Sequence, residues 1–170
     1  MAIRPIVYIP DPVLRRKARK VTTVDKDLQV LIDDMIDTLR DAPGVGLAAP
    51  QVGVSQRLIV IEYGDDEDED APKKLFVVIN PEITLASEEM VDGVEACLSI
   101  QRLMGNVNRH EKVVVKGLNR HGKPVKYKLS GWLARIFQHE IDHLDGILYT
   151  DRASKVWRPK EEEVEVADSV

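Results

Sequence analysis

The pattern of apolar and polar positions predicts an amphipathic helix over residues 25–40. Apolar side chains recur there every three or four positions, with aspartate and lysine between them, at Leu28, Leu31, Met35 and Leu39. Side chains at this spacing share one face of an α-helix, so that face can be buried while the opposite face stays in water. Pro43 and Gly44 follow and end the helix.

Two runs rich in isoleucine and valine, residues 57–63 and 74–80, predict β-strands. Glycine and then six consecutive acidic residues lie between them, at positions 64–70. Because like charges repel and bury no apolar surface, we predict a mobile hairpin tip here. A cation site is the less favoured alternative, since the run lacks the ligand spacing of a calcium-binding loop.

The second half of the chain predicts another hairpin and a long helix. Alternating apolar residues over 111–129, with a turn at Asn119–Gly122, indicate the hairpin, and the apolar residues of 131–144 indicate the helix. Helices flanking hairpins, without regular strand–helix alternation, predict an α+β fold of antiparallel sheets packed around this C-terminal helix. We predict a single catalytic domain over residues 1–150 and a charged, partly disordered tail over residues 151–170.

Composition narrows the classes of function. The chain has 170 residues with 24 basic and 29 acidic side chains, a balance that does not favour binding to a nucleic-acid backbone, and the basic residues of 15–20 are interpreted as solvated surface. No apolar run approaches the roughly 18 residues needed to cross a membrane, and the N-terminus lacks the features of a signal peptide. The one cysteine excludes an intramolecular disulfide. We therefore expect a cytoplasmic protein, monomeric by default, with neither membrane nor specific nucleic-acid partners.

A candidate metal site lies in the predicted C-terminal helix, where His139-Glu140-Ile-Asp-His143 matches the pattern His-Glu-x-x-His. Residues four apart share a helix face, so both imidazoles can reach one metal while Glu140 contacts a water molecule beside it. The alternative, two surface histidines in a charged helix, is disfavoured by the apolar residues around the motif. A catalytic metal takes three protein ligands as a rule, and the third is either Cys97 or a carboxylate.

Three separated segments together resemble peptide deformylases, the metalloenzymes that remove the formyl group from nascent polypeptides. They are Gly44-Val-Gly-Leu-Ala-Ala-Pro-Gln51, Glu95-Ala-Cys-Leu-Ser99 and Gln138-His-Glu-Ile-Asp-His143. Weaker resemblance in residues 10–15, 80–81 and 105–109 extends it over residues 5–150. The chain departs from the family at Ala96, where glycine is usual, and at Gln101, where many members have proline. If position 96 requires a positive φ, alanine would be strained there.

The resemblance implies a ligand set and a mechanism. Cys97, His139 and His143 would hold one divalent metal, with Fe²⁺ favoured and Zn²⁺, Ni²⁺ or Co²⁺ compatible with the same donors. Glu140 would move the proton of the attacking water to the leaving amine, and Gln51 and the Leu98 backbone N–H would stabilise the oxyanion. The implied substrate is an N-formylmethionyl peptide. Transient ribosome contact is also implied, although the acidic tail differs from the basic extension that some members use for it.

The same segments supply candidate substrate-binding residues. Glycines flanking Val45 would let a substrate backbone approach closely, or would merely permit a turn. Helical spacing places three residues near the two histidines, where they could wall an apolar slot for methionine or could simply pack the core. Glu95 would contact substrate or pair with Arg109. The full candidate set is Gly44, Val45, Gly46, Glu95, Trp132, Arg135 and Ile136.

Two other classes of function fit part of this pattern. A metallopeptidase with the His-Glu-x-x-His motif would cut internal peptide bonds and would not need a formylated N-terminus. A non-catalytic metal-binding module would have no need of Glu140 or Gln51.

Overall fold

The computed structural model describes residues 2–64 and 72–159. The helices are α1 (Lys26–Asp41), α2 (Gly131–Leu144) and α3 (Tyr149–Arg152), with short 3-10 helices at Pro12–Arg15 and Ala49–Val52. The strands are β1 (Gly46–Ala48), β2 (Leu58–Tyr63), β3 (Lys74–Ala86), β4 (Met90–Cys97), β5 (Ile100–His110), β6 (Lys112–Leu118), β7 (Pro124–Ser130) and β8 (Lys155–Trp157).

These strands form two antiparallel sheets. One has five strands in the order β1-β2-β3-β6-β7, and the other has three in the order β4-β5-β8. The predicted combination of helices with antiparallel sheets is confirmed. No helix in the described ranges is long and apolar enough to span a membrane.

Several elements match the sequence pattern, and others do not. Helix α2 has the predicted bounds, and α1 and β2 differ from prediction by one residue at each end or less. Strand β3 was predicted to end at residue 80 but continues to Ala86. Asn80 takes a positive φ of 52°, and the pairing with β6 shifts register between Ile79 and Glu82, so an irregularity carries the strand past Pro81.

The predicted hairpin over 111–129 is observed as β6 and β7, whereas β4 and β5 had not been predicted. The acidic residues 65–70 and the final residues 160–170 lie outside the described part of the chain. Residues 151–159, assigned to the tail from sequence, include β8, which pairs with β5 through Gly105 and Val156.

Helix α1 forms where an aspartate can cap it. Asp25 accepts a hydrogen bond from the Leu28 N–H at 2.9 Å, which satisfies one of the free donors of the first turn. Its apolar face is buried against β1 and β2 in a cluster that includes Ile32, Met35 and Leu58. This packing fixes the position of the loop that follows α1.

Helix α2 is unusual because polar as well as apolar residues are buried along it. Every residue from Ala134 to Leu144 is buried, and the helix packs against strands of both sheets. Its apolar side chains Ile136, Phe137 and Ile141 join the core of the five-stranded sheet. Buried polar side chains cost free energy unless they are paired, so the polar ones on this helix require partners.

Candidate metal centre and active site

The metal-binding side chains predicted from sequence lie together. The Cys97 thiol and the imidazoles of His139 and His143 present ligand atoms within 4.8 Å of one another, and all three residues are buried. Cys97 Sγ lies 3.4 Å from His143 Nε2. Among the described residues, this is the group of His, Cys, Asp and Glu side chains arranged to hold a metal ion.

Two local structures bring these ligands together. The helical spacing of α2 puts the two imidazole rings 5.0 Å apart, centroid to centroid. Cys97 ends β4, where a tight turn leads into β5 and Cys97 pairs with Ile100. Ala96 is not among the described residues with positive φ, so its methyl group causes no backbone strain next to the ligand.

The donor atoms fit a divalent cation. His139 Nε2 and both carboxylate oxygens of Glu140 are buried without a hydrogen-bond partner in the described structure. Buried polar atoms almost always have a partner, so these atoms mark a site built for a further group. One thiolate with two imidazoles is a ligand set suited to borderline metals such as zinc or ferrous iron.

Glu95 fixes the orientation of one ligand. His139 donates from Nδ1 to Glu95 Oε1 at 2.8 Å, which leaves Nε2 free to face the metal position. Burial alone would lower the pKa of His139, but Cys97, Glu95 and Glu140 raise it to about 10. The Glu95 and Glu140 carboxylates, which favour a proton on this imidazole, would equally favour a metal cation.

The Glu95 carboxylate belongs to a buried network of ion pairs. Arg109 donates to both of its oxygens at 2.9 and 2.8 Å, and Arg135 donates to Oε2 at 2.6 Å. Arg109 also bonds Asp142 at 2.6 Å, and the more exposed Arg152 bonds Asp142 as well. Burial opposes ionisation of Glu95, but the hydrogen bonds from Arg109 and His139 hold its pKa far below the ordinary value.

This network changes the interpretation of two candidate residues. Glu95 is fully buried and pairs with Arg109, one of the two roles expected from sequence. The substrate contact expected for Glu95 and Arg135 does not fit their positions, because their charged groups are used within the protein. Arg135 further donates to the carbonyls of Val107 and Val91, which ties α2 to β5 and β4.

Glu140 lies beside the ligands with its carboxylate unpaired. Burial raises its pKa to about 7, which is suited to accepting and returning a proton near neutral pH. Gly46 provides the space for this carboxylate: a β-carbon at position 46 would lie 2.9 Å from Glu140 Cδ and closer still to Oε2. Gly46, in the segment 44–51, is therefore needed to make room for Glu140, in the segment 138–143.

Gln51 is held against the segment Glu95–Ser99. Its Oε1 accepts from the Ala48 N–H at 2.9 Å, and its Nε2 donates to Ser99 Oγ at 3.1 Å and lies 3.6 Å from Cys97 Sγ. Leu98 is half-buried between Cys97 and Ser99. The structure thus brings both predicted oxyanion donors next to the metal ligands.

Ser99 was not singled out from the sequence, although its position two residues after Cys97 in the segment Glu95–Ser99 could have indicated that it lies in the site. Tyr149 was also missed: its ring stacks on that of His139 at 6.0 Å, and no local pattern indicates this.

The remaining candidates lie around the same helix. Ile136 is fully buried in the core cluster, which favours the core-packing alternative for this residue. Val45 and Trp132 are half-buried against the same cluster. Gly44 lies against Leu98, whose Cδ1 would be 2.9 Å from a β-carbon at position 44.

Comparison with known proteins gives one consistent result. The sequence profile of the family described as polypeptide deformylase matches residues 3–159. A peptide deformylase of Symbiobacterium thermophilum is 53% identical over 174 residues, covering 99% of this chain and 77% of that protein.

Solved structures of the family are also similar. The crystal structure of a peptide deformylase from Legionella pneumophila has 48% sequence identity and a TM-score of 0.81, covering 90% of this chain and 87% of that one. The class I type b enzyme of Acinetobacter baumannii, solved with Met-Ala-Ser bound, has 38% identity and a TM-score of 0.82, covering 89% and 98%. The Cys-His-His cluster and the buried glutamate agree with these similarities. The chain therefore belongs to the polypeptide deformylase family, whose members are metal-dependent hydrolases that remove the N-formyl group from nascent peptides.

Proposed function

We propose that this chain hydrolyses the formyl amide at the N-terminal methionine of nascent polypeptides through Glu140, Gln51 and Leu98, at a metal held by Cys97, His139 and His143. The observation that carries this proposal is the unpaired, buried Glu140 carboxylate beside three converging ligand atoms. A purely structural metal site has no use for such a carboxylate, because it costs free energy to bury.

The three ligands supply a thiolate and two imidazole nitrogens. When bound, a divalent metal lowers the pKa of a water molecule and polarises the formyl carbonyl. We propose Fe²⁺ as the native ion, with Zn²⁺, Ni²⁺ or Co²⁺ also accommodated, since thiolate and imidazole donors bind all four. Glu95 keeps His139 in the tautomer that offers Nε2.

Glu140 handles the proton. Its carboxylate accepts a proton from the attacking water, whose oxygen forms a bond to the formyl carbon. The carbon–nitrogen bond then breaks, and the proton passes from Glu140 to the leaving nitrogen, giving formate and a free N-terminal amine. A pKa of about 7 lets one carboxyl group accept and donate within a single turnover.

Gln51 and Leu98 act on the negative charge that develops on the formyl oxygen. Gln51 Nε2 carries two N–H bonds: one is directed at Ser99 Oγ, and the other, in a long contact of 3.6 Å with Cys97 Sγ, is the one that would turn to the oxyanion. The backbone N–H of Leu98 is the second donor. Removing one such donor costs roughly 2.7–4 kcal/mol of transition-state stabilisation in other hydrolases.

The substrate is proposed to be an N-formylmethionyl peptide bound beside Gly44, Val45 and Gly46. A related enzyme has been solved with Met-Ala-Ser bound, a peptide that begins with methionine. Trp132 and Ile136 are the candidates for the wall of the methionine slot. The substitution Ile136→Trp would raise KM for formyl-methionyl peptides if Ile136 lines the slot, and unchanged kinetics in a folded variant would assign Ile136 to the core alone.

The decisive experiment is formate release from formyl-Met-Ala-Ser by protein prepared anaerobically and loaded with Fe²⁺ or Ni²⁺. We expect turnover by the wild type and its collapse in Glu140→Ala, with metal content unchanged. Glu88→Ala is the matched control, because Glu88 is exposed whereas Glu140 is fully buried beside the ligands. No release by folded, metal-loaded wild type would reject the proposal, and cleavage of internal bonds in an unformylated peptide would support a metallopeptidase instead.

A further inference from the structure

An N-terminal segment of the chain joins the two loops that carry the proposed oxyanion donors. Val7 donates its backbone N–H to the carbonyl of Gln51 at 2.7 Å, and Ile9 donates to the carbonyl of Ser99 at 3.1 Å. Both donors lie within three residues of one another, so this one short segment contacts both loops. We propose that Val7–Ile9 is a positioning segment, which sets the Gln51 amide and the Leu98 N–H at the spacing the oxyanion requires; this rests on the function proposed above.

The two loops also meet by packing, since Leu98 lies against the core cluster that contains Ala49 and Val52. Gln51 lies in the 3-10 helix Ala49–Val52, which ends at Gly53, and Leu98 and Ser99 form the turn between β4 and β5. The loops belong to different sheets, since β1 precedes one and β4 precedes the other. In the part of the chain that the structure describes, the direct hydrogen bonds between them come from one side chain, which reaches from Gln51 Nε2 to Ser99 Oγ and Cys97 Sγ.

Burial does not explain why the segment lies where it does. Tyr8 and Ile9 are 44% and 43% exposed, and Val7 is only half-buried. No side chain from Ala2 to Pro12 is fully buried, so hydrogen bonds contribute a large share of what holds this segment in place. Upstream, Arg4 anchors it through its N–H to Thr38 Oγ1 and its side chain to Asp34.

The position of the two donors matters more than their presence. An oxyanion donor contributes strongly only when it lies at hydrogen-bond distance from the charge formed in the transition state, and a displacement of about 1 Å can cost about 100-fold in rate. A segment that fixes Gln51 through its backbone therefore affects kcat while substrate binding in the ground state is unchanged.

Each substitution in the test removes one N–H donor and keeps the side chain. It also weakens the preceding carbonyl as an acceptor, which for Ile9 is the Tyr8 carbonyl that accepts from the Asp11 N–H. Val7, Ile9 or Tyr8 is replaced by its α-hydroxy analogue, which converts the preceding peptide bond to an ester. Tyr8 is the matched control, because its N–H has no hydrogen-bond partner in the described structure. Each variant is made in the wild type and in Gln51→Ala, and kcat, KM, metal content and the thermal unfolding midpoint are measured.

We expect the Val7 ester to lower kcat about tenfold with KM and metal content unchanged, and to have no further effect in Gln51→Ala. The Ile9 ester, which acts on the turn bearing Leu98, should lower kcat in both backgrounds, and the Tyr8 ester in neither.

Three results with the esters would overturn the proposal: an equal loss of kcat from the Val7 ester in both backgrounds, a rise in KM with kcat unchanged, or wild-type kcat in both the Val7 and Ile9 esters. Inactive wild type would instead reject the proposed function. A Gln51→Ala variant with wild-type kcat would remove the role of Gln51 and with it this proposal.

Discussion

At the scale of single residues, the active site depends on a residue that has no side chain. Gly46 leaves the space that the Glu140 carboxylate occupies, and a β-carbon there would lie 2.9 Å from Glu140 Cδ. The conformational freedom of glycine is not the reason, because Gly46 is not among the residues with positive φ. Close approach of another side chain is therefore the constraint at this position.

Gly46→Ala should displace the Glu140 carboxylate and lower kcat by about 100-fold, within the range that general acid–base catalysis contributes. It should also destabilise the protein by about 1–3 kcal/mol through overpacking. Formate release and urea unfolding measure the two effects. In a Glu140→Ala background the added methyl group fills vacated space, so the destabilisation should disappear; an equal loss of stability in both backgrounds would contradict this account.

The contacts of the Glu95 carboxylate predict effects on both stability and metal binding. It pairs with Arg109 and Arg135 and accepts from His139 Nδ1. Removing one partner of a buried ion pair costs about 3–5 kcal/mol, because the other charge is left uncompensated. Losing the hydrogen bond that orients a histidine ligand costs about 10–100-fold in metal affinity.

We therefore expect Glu95→Gln to weaken metal binding by 10- to 100-fold, measured by competition with a chelator of known affinity, and to lower the free energy of unfolding of the metal-free protein. Glu88→Gln makes the same charge change at an exposed position and should alter neither quantity. Metal affinity equal to that of the wild type in a folded Glu95→Gln variant would rule out the orienting role.

At the scale of elements, helix α1 holds the N-terminal segment through Asp34. This carboxylate accepts from the Ala2 N–H at 2.7 Å and pairs with Arg4 Nε at 2.9 Å. The Ala2 hydrogen bond, followed by that from Arg4, holds the pKa of Asp34 below its ordinary value. The segment that bonds the Gln51 and Ser99 loops is thus attached at its start to a helix of the core.

This lowered pKa predicts a pH dependence with a definite sign. A carboxylate whose folded-state pKa is depressed stabilises the protein above its unfolded pKa of about 3.9, and this contribution is lost as pH falls through the folded-state value. Asp34→Asn should therefore lower the free energy of unfolding at pH 7 and have progressively less effect towards pH 3. Urea unfolding with chelator present at both pH values excludes metal loss as the cause. A constant difference between the two proteins would show that the Asp34 charge is not involved.

At the scale of the whole molecule, the metal site joins separate parts of the fold. Cys97 comes from the three-stranded sheet, and His139 and His143 come from the helix that packs on both sheets. A metal bound there crosslinks these parts in the folded state alone, because the unfolded chain does not bring the ligands together. Binding to the folded state stabilises it by mass action.

Removing the metal with a chelator should abolish formate release and lower the thermal unfolding midpoint, and adding Ni²⁺ or Fe²⁺ under anaerobic conditions should restore both. Cys97→Ala is the control, since its unfolding midpoint should hardly respond to chelator. An unfolding midpoint in the wild type that is insensitive to chelator would show that the site contributes little to stability.

The single catalytic domain, the monomeric state, the cytoplasmic location and the ribosome contact stay predictions from the sequence.

The sequence by itself determined the elements whose side chains follow a local period. Helix α2 could be predicted to its exact bounds, and the spacing of His139 and His143 placed both on one helical face, because these patterns depend on neighbours within a few residues. The motif resemblance also indicated Cys97, Glu140 and Gln51. Strands β4 and β5 were missed because buried charges at Glu95 and Arg109 interrupt the apolar alternation that marks a strand.

Only the tertiary structure decided how distant residues satisfy one another. It placed Glu95 and Arg135 in an internal ion-pair network, put Gly46 against Glu140, and brought residues 7–9 to the loops of Gln51 and Ser99. None of these contacts leaves a periodic signal, because the partners are separated by tens of residues and the bond depends on how sheets and helices pack. The candidate residues of the site could be named along the chain, whereas their positions relative to one another depend on contacts that exist only after folding.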